Sequence, residues 1–345
     1  MKKGNLRRIA VLLLVVFTIG AWWMYHKYVT GARIPSDLKE YVIQIPTGSS
    51  FTEVVEILDE KGIVKEPDLF KVLAERMNYI QNPMRAGQYE LKPGWNMVQL
   101  IRHLRGGKQM PIKVVLTNER MTENVAAKVA RFIEADSLEI WQLFQNKDYL
   151  SEIGYTEETL MSIFIPNTYE VFWNTSPKRF MDRMIKEHER FWKKKSRLTK
   201  AKALDLEPWE VYTLASIVER ETLKNSEKPK MAGVYLNRLD QDILLQADPT
   251  SVFARKDFNT KRVTKYHTQF DSPYNTYKYK GLPPGPISMS SIGSIDAVLD
   301  AEDHDYIFFC AKGDGSGLHN FAKTLSAHNQ NAAIYRANLR KRGLR

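Results

Sequence analysis

Residues 208–222 read PWEVYTLASIVERET, and this segment predicts the central buried helix of the fold. Pro208 is well placed in the first turn of a helix that we expect to run from 208 to 223. Between Val211 and Val218 only Thr213 and Ser216 are polar. A helix that is apolar on nearly every side must be covered by its neighbours, so the segment predicts a core element.

Two carboxylates, Glu219 and Glu221, end this segment. Glu219 lies one turn after Ala215 and Ser216, and two such small neighbours would leave a hollow beside its carboxyl group. An apolar hollow disfavours the charged form, so the pKa of Glu219 would rise toward the range in which it donates a proton. Glu221 is rotated by about 200° in an ideal helix and faces elsewhere. Glu219 is therefore a candidate general acid; the alternative is that both acids are solvated side chains of a last helical turn.

The N-terminal residues predict a membrane anchor. Four basic residues precede an apolar stretch from Ile9 to Tyr25, which is near the shortest length that spans a bilayer as a helix. Bulky aromatic residues follow at the place where a signal peptide needs small residues before its cleavage site, which favours an uncleaved anchor. The basic excess ahead of the helix predicts that the N-terminus lies inside the cell. The expected interfacial aromatic residues are Trp22, Trp23, Tyr25 and Tyr28.

The chain predicts an α+β protein of several parts. The anchor divides into a cytoplasmic tail at 1–8, a transmembrane helix at 9–28 and a linker at 29–40. Residues 41–108 follow the order strand, helix, helix, strand, helix, which is typical of a small α+β binding or spacer module. Residues 112–345 form a larger unit that begins with the strand IKVVLT (112–117). Within it, residues 179–201 predict one basic helix with solvated charges and inward aromatic side chains.

Composition restricts the classes of function. The chain has 345 residues, a net charge of +11 and one cysteine, Cys310, so an intramolecular disulfide and a cysteine-based metal site are excluded. The positive charge suits anionic polymers or lipid head groups, and no zinc finger or aromatic RNA-binding motif points to nucleic acid. His319 and His328 are too far apart for a helical metal pair. We expect no metal, no cofactor and no nucleic-acid partner.

Three later segments are rich in polar and aromatic residues. The first, LLQADPTSVF (244–253), places Gln246 and Asp248 in a predicted loop; the second, DSPYNTYKYKGLPPGPIS (271–288), contains Tyr274 and Asn275; the third, GSGLHNFAKTLSAHN (315–329), contains His319. Aromatic rings that stack on sugar C–H faces and amides that bind hydroxyl groups suit saccharide recognition. The alternative is that these residues build ordered structural loops.

These segments and LASIVERET, in this order and approximate spacing, resemble the signature segments of the endolytic murein transglycosylases, the YceG-like (MltG) family. The resemblance covers essentially the whole chain beyond residue 40. It implies a LysM-like subdomain at 41–108 and a YceG-like catalytic domain at 112–345. It also implies that Glu219, the first acid of the family's IVE-x-ET motif, is the catalytic residue.

The resemblance implies cleavage of the β-1,4 bond between N-acetylmuramic acid and N-acetylglucosamine in nascent peptidoglycan strands. The reaction would leave a 1,6-anhydromuramoyl end and terminate glycan elongation near peptidoglycan synthases. The substrate's own 6-hydroxyl would attack, so one glutamate could suffice where ordinary glycosidases need two carboxylates. The protein would sit in the inner membrane of a bacterium as a single-pass protein, with its catalytic domain on the periplasmic side.

By the same resemblance, five residues are assigned to substrate binding or positioning of the acid, and two to support. The substrate-binding candidates are Gln246, Asp248, Tyr274, Asn275 and His319, and the supporting residues are Ser216 and Glu221.

The chain departs from the family pattern at Met161-Ser162 and Asn167, which stand where relatives often carry acids and a glycine. A family role for an acid in that loop is therefore not expected in this protein. Two other functions stay open at this point. One is a membrane-tethered scaffold that binds peptidoglycan without cleaving it. The other is a water-using muramidase, which would need a second carboxylate such as Asp248.

Overall fold

The computed structural model describes residues 3–26 and 33–344, with side chains from residue 7 onward. The elements of the first third are α1 (Lys3–Met24), β1 (Val42–Ile45), α2 (Phe51–Glu60), α3 (Pro67–Arg76), β2 (Gly87–Glu90), α4 (Met97–Gly106) and β3 (Pro111–Leu116). Those of the middle are α5 (Thr122–Val129), α6 (Ser137–Phe144), α7 (Lys147–Glu152), a 3₁₀ helix (Leu160–Ile163), β4 (Asn167–Phe172), α8 (Pro177–Lys193) and α9 (Arg197–Ala203). The last third contains α10 (Pro208–Glu221), α11 (Lys228–Asp240), α12 (Asp248–Arg255), α13 (Lys265–Thr268), α14 (Ile292–Leu299), β5 (Phe308–Ala311), β6 (His319–Ala322) and α15 (Leu325–Lys341).

Helix α1 is apolar and exposed from Arg7 to Met24. Its window Arg7–Met24 has a mean hydropathy of 1.6, and no part of that window is buried against the protein. The helix is therefore long and apolar enough to cross a membrane. The predicted belt residue Tyr28 and the first part of the linker, 29–32, lie outside the described residues.

The chain divides into two compact units. The first comprises Met1–Lys113, Phe132–Glu134 and Glu170–Ser176, and the second comprises Val114–Arg131, Ala135–Tyr169 and Pro177–Arg345. Each of the three sheets formed by the named strands has two strands: β1 with β2, β3 with β4, and β5 with β6. The protein is thus a mixed α and β chain in which helices predominate.

The small sheet of the first unit carries its hydrophobic core. Strands β1 and β2 run antiparallel, with Val42 opposite Glu90 and Ile45 opposite Gly87, and helices α2, α3 and α4 supply apolar residues to the core that contains Ile43 and Tyr89. The capping box that the spacing of Ser50 and Glu53 predicts is present at the start of α2. The predicted strand, helix, helix, strand, helix order is confirmed.

Helix α10 lies at the centre of the second unit. Every residue from Val211 to Val218 is fully buried, because α9, α11, α12 and α14 all pack against this helix. The predicted central buried helix is confirmed, and it ends at Glu221, two residues before the expected end. The last turn of α10, which contains Glu219, is the part of the helix that reaches the protein surface.

The prediction of one helix over 179–201 is wrong. Helix α8 ends at Lys193, and Lys195 and Ser196 have φ angles of 56° and 55°. This left-handed backbone breaks the helix and turns Arg197 inward, where its guanidinium pairs with Asp296 of α14. The inward packing of the aromatic residues is confirmed by the burial of Phe180, Phe191 and Trp192.

The predicted loop at 244–253 is partly helical. Helix α12 starts at Asp248, because Pro249 already has the backbone angle of a first helical turn and an acidic side chain is favourable at a helix N-terminus. Asp248 therefore stands on a rigid element.

Candidate active site

Glu219 lies in the last turn of α10, and its side chain is 22% exposed. Its Oε2 atom accepts hydrogen bonds from Lys228 Nζ at 3.0 Å, from Ser291 Oγ at 2.5 Å, and from Ser294 Oγ. Lys228 is the first residue of α11, and Ser291 is the N-cap of α14. Three helices thus meet at one carboxylate oxygen.

The second oxygen of the Glu219 carboxylate is available. Oε1 makes no hydrogen bond to any part of the chain that the structure describes, whereas Oε2 has three side-chain donors. One oxygen therefore fixes the carboxylate in place, and the other is free to exchange a proton with a bound molecule.

The environment of Glu219 is polar, which corrects the expectation of an apolar hollow. Burial alone would raise the pKa of Glu219, but hydrogen bonds from Ser291, Ser294 and Lys228 together with the charge of Lys228 lower it below its usual value. Donors that stabilise the charged form outweigh the partial desolvation. In the free protein Glu219 is a carboxylate, so the predicted direction of its pKa shift was wrong.

Ala215 and Ser216, one turn before Glu219, are fully buried and open no solvent-accessible hollow beside it. Ser216 Oγ donates to the Thr213 carbonyl at 2.6 Å and accepts from the backbone N–H of Ile287 at 3.0 Å. Ser216 therefore ties α10 to the segment that leads into α14. Its support of Glu219 is indirect, since that segment leads to the two serines that hold the carboxylate.

Glu227, the residue before Lys228, bonds to His319. The Glu227 carboxylate accepts from the backbone N–H of His319 at 2.8 Å and lies 3.0 Å from His319 Nδ1. The side chain of Lys228 is 5% exposed, and those of Glu227 and His319 are 11% and 13% exposed. His319, a predicted substrate-binding residue, is thus engaged with Glu227 and anchors β6 to the start of α11.

Glu221 belongs to a second cluster of polar groups. Its Oε1 accepts a hydrogen bond of 2.7 Å from Tyr235 Oη, and Asp248 Oδ1 accepts one of 2.6 Å from Tyr277 Oη. Burial raises the pKa of Glu221 to about 7; the Tyr235 hydrogen bond opposes this shift, and the nearby negative charge of Asp248 adds to it. The structure therefore brings Glu221 and Asp248 together, apart from the donors of Glu219.

Gln246 presents its amide to solvent just before α12. Its side chain is exposed, and its backbone N–H donates to the Thr276 carbonyl at 3.0 Å. The backbone at this position is therefore fixed against the segment 271–288, while the side chain can reach a bound molecule. Its role in substrate binding stays a prediction.

Asn275 has the opposite environment, because it is fully buried. Its Nδ2 donates to the carbonyls of Thr268 at 3.0 Å and Phe270 at 2.6 Å, and its Oδ1 accepts from the backbone N–H of Tyr277. A side chain that is saturated by backbone groups shapes its own loop, so we assign Asn275 to loop structure in place of direct substrate contact.

Tyr274 lines a cavity of about 390 Å³ within the second unit. The walls of this cavity include Trp141, Phe253 and Tyr274, and the rings of Phe253 and Tyr274 lie 4.8 Å apart. Met161, at one of the departures from the family pattern, also lines it. Glu219 is not among the lining residues, so this cavity, named here the Tyr274 cavity, is separate from the carboxylate site.

Sequence reasoning missed the residues that hold Glu219. Lys228, Ser291 and Ser294 lie 9, 72 and 75 residues from it along the chain, and no periodic pattern links them. A weak signal was available only for Ser291, because a serine followed by a short apolar helix is a typical N-cap.

Known proteins are similar to most of this chain. Residues 43–334 match the model of the YceG-like family. An endolytic murein transglycosylase of Bacillus subtilis (strain 168) is 28% identical over 330 residues, which cover 90% of this chain and 89% of that protein. An endolytic murein transglycosylase of Streptococcus pneumoniae serotype 2 is 26% identical, and the match covers 94% of this chain but 64% of that protein.

A solved structure is similar as well. The 2.6 Å crystal structure of a YceG-like protein from Listeria monocytogenes aligns with a TM-score of 0.56 and 26% sequence identity. The alignment covers 85% of this chain and 98% of that one.

Proposed function

Because this chain belongs to the YceG-like family, we propose that it is an endolytic murein transglycosylase whose catalytic residue is Glu219. Relatives from two genera that are similar over most of its length carry that name. The observation that carries the proposal is the partly exposed Glu219 carboxylate, which three side-chain donors hold through Oε2 while no described residue donates to Oε1.

The proposed substrate is the glycan strand of peptidoglycan, cleaved at the β-1,4 bond between N-acetylmuramic acid and N-acetylglucosamine. Glu219 would donate a proton to the leaving oxygen as the C1–O bond breaks. The 6-hydroxyl of the same muramoyl residue would then form the new bond to C1, and Glu219 would accept its proton. The product is a 1,6-anhydromuramoyl end, and Glu219 returns to its starting protonation state.

The two halves of this cycle place opposite demands on Glu219. The lowered pKa in the free protein favours the carboxylate, which is the form that accepts the hydroxyl proton. Proton donation requires the neutral acid. A bound glycan strand would cover the exposed part of the side chain, and this further desolvation would raise the pKa in the complex.

We extend the proposal to the other parts of the chain. Helix α1 would anchor the protein in the inner membrane of a bacterium with its N-terminus inside, and the second unit would act on the periplasmic side. The module at 41–108 would be a LysM-like subdomain that contacts the glycan. Peptidoglycan synthases would be the partners, since termination of elongation requires access to nascent strands.

Mass spectrometry of glycan strands treated with the full-length protein tests the activity. We expect 1,6-anhydromuramoyl ends from the wild type and a loss of at least about 10³-fold in rate for Glu219→Gln, because the amide can neither donate nor accept this proton. Glu210→Gln, on the first turn of the same helix, is the matched control and should keep full activity.

Two outcomes would contradict the proposal. Reducing muramic acid ends alone would identify a water-using muramidase. Glycan binding without cleavage by both the wild type and Glu219→Gln would identify a non-catalytic scaffold.

A further inference from the structure

The Tyr274 cavity carries charged groups that the proposed mechanism does not use. Its acidic lining residues are Glu123, Glu157 and Glu158, and its basic ones are Arg120 and Lys256. These residues come from the start of α5 and the segment before it, from the turn before the 3₁₀ helix and from the end of α12. Groups from three separate stretches of chain thus converge on one cavity.

Most of these charges have no partner in the part of the protein that the structure describes. Glu123, Glu157, Glu158 and Lys256 are exposed at the rim of the cavity, and among residues 7–26 and 33–344 no hydrogen bond or ion pair engages their side chains. Acids and bases that line the same cavity without pairing with each other are available to a ligand that carries both signs of charge.

The aromatic residues that line the cavity include Tyr274, whose hydroxyl group lies among these charges. Burial raises the pKa of Tyr274, and the nearby charge of Glu158 raises it further, so the Tyr274 hydroxyl stays protonated close to this carboxylate. Trp141 and Phe253 provide ring faces beside it. Carboxylates next to aromatic rings are a typical environment for an ammonium group.

The cavity also has a connection to the catalytic helix. Arg220, the residue that follows Glu219, donates from Nη2 to Asn118 Oδ1 at 3.2 Å, and Asn118 lies two residues before Arg120 of the cavity wall. Burial lowers the pKa of Arg220, and the charge of Arg120 lowers it further. A substrate held at Glu219 could therefore extend a branch toward this cavity.

We propose that the Tyr274 cavity binds a peptide with a free ammonium group and a carboxylate, with the ammonium at Glu157 and Glu158 and the carboxylate at Lys256. This inference rests on the proposed function, because in peptidoglycan such a peptide is the stem peptide attached to the muramoyl residue. A neutral saccharide could not form ion pairs with Glu157, Glu158 and Lys256.

Calorimetry on the full-length protein in detergent tests the proposal. The ligand is a stem tetrapeptide whose third residue is a diamino acid with a free side-chain amine. The same peptide acetylated on that amine is the control ligand. We expect Glu158→Gln to weaken binding of the free peptide about tenfold, the effect of one charge-assisted hydrogen bond of roughly 1.4 kcal/mol. Glu152→Gln, an exposed glutamate of α7 outside the cavity, should bind like the wild type.

Three results would overturn the proposal: no binding of the tetrapeptide by the wild type, equal binding of the acetylated peptide, or equal weakening by Glu152→Gln. Weakened binding of a peptide-free oligosaccharide by Glu158→Gln would also overturn it, because the cavity would then be a sugar site.

The binding assay needs no turnover, so it separates this proposal from the proposed function. Peptide binding without strand cleavage would refute the transglycosylase activity and keep the peptide site. Strand cleavage without peptide binding would refute the site and keep the activity.

Discussion

At the scale of single residues, the position of a carboxylate along a helix does not determine its pKa. Glu219 and Glu221 are two residues apart, yet the pKa of Glu219 is lowered and that of Glu221 is raised to about 7. The difference arises because Glu219 receives three side-chain donors, including an ammonium group, whereas the half-buried Glu221 receives one tyrosine hydroxyl and lies near another acid. Their neighbours decide which group is charged at neutral pH.

Lys228→Met should shift the pH dependence of strand cleavage. If the reaction needs protonated Glu219 in the free enzyme, the rate at low substrate concentration depends on the pKa of Glu219. Above that pKa the rate falls about tenfold for each pH unit. Loss of the Lys228 ammonium removes a stabiliser of the carboxylate, so the pKa of Glu219 rises and the falling limb moves to higher pH. Initial rates between about pH 4 and pH 8 measure this shift.

Lys224→Met, which changes an exposed lysine close by in the sequence, is the control. An unchanged falling limb of the pH–rate profile in Lys228→Met would rule out this role for Lys228.

At the scale of elements, a break between helices α8 and α9 allows a partly buried ion pair to form. The left-handed residues before α9 let Arg197 reach α14, where its Nε and Nη2 donate to the two Asp296 oxygens at 2.7 and 3.1 Å. Burial alone would raise the pKa of Asp296, but the Arg197 hydrogen bonds and charge lower it. Helix α14 is thereby fixed against α9, and it is the helix that presents Ser291 and Ser294 to Glu219.

Arg197→Met should destabilise the second unit by about 2–4 kcal/mol, because a partly buried carboxylate loses its bidentate partner. The measurement is urea unfolding of the full-length protein. Lys200→Met removes the exposed pair with Asp300 between the same two helices, and a loss within about 1 kcal/mol is expected there. If the two variants lost equal free energy of unfolding, the Arg197–Asp296 pair would contribute no more to stability than the exposed Lys200–Asp300 pair.

At the scale of the whole molecule, helix α1 and the hydrophobic core of the first unit are separable. The hydrophobic core of the first unit begins at Ile34 and includes no described residue of α1. The side chains of α1 from Arg7 onward are exposed, so within the described residues no packing within the protein explains its apolar surface. The proposed insertion of α1 into a lipid bilayer would explain it.

Deletion of residues 1–32 should release the protein from membranes without unfolding it. We expect the full-length chain in the membrane fraction after a high-salt wash. The truncated chain should be in the soluble fraction, with a helical circular dichroism signal reduced only by the loss of α1 and a cooperative thermal unfolding transition. Cleavage of solubilised glycan strands by the truncated chain should stay within about threefold of the full-length rate, since no catalytic group is removed. Recovery of the full-length chain in the soluble fraction without detergent would contradict the anchor.

The sequence by itself determined the local elements and the candidate acid. The apolar run from Val211 to Val218 specifies a buried helix whatever surrounds it, because a 3.6-residue period and hydrophobic burial act over neighbouring residues. Capping residues such as Ser50 and glycines such as Gly107 fixed helix ends for the same local reason.

The tertiary structure alone decided the environment of Glu219, since Ser291 and Ser294 reach it across more than 70 residues of chain. It also decided that Asn275 is buried and that Glu221 lies near an acid of another helix. Such contacts depend on how helices pack, and packing leaves no period in the sequence.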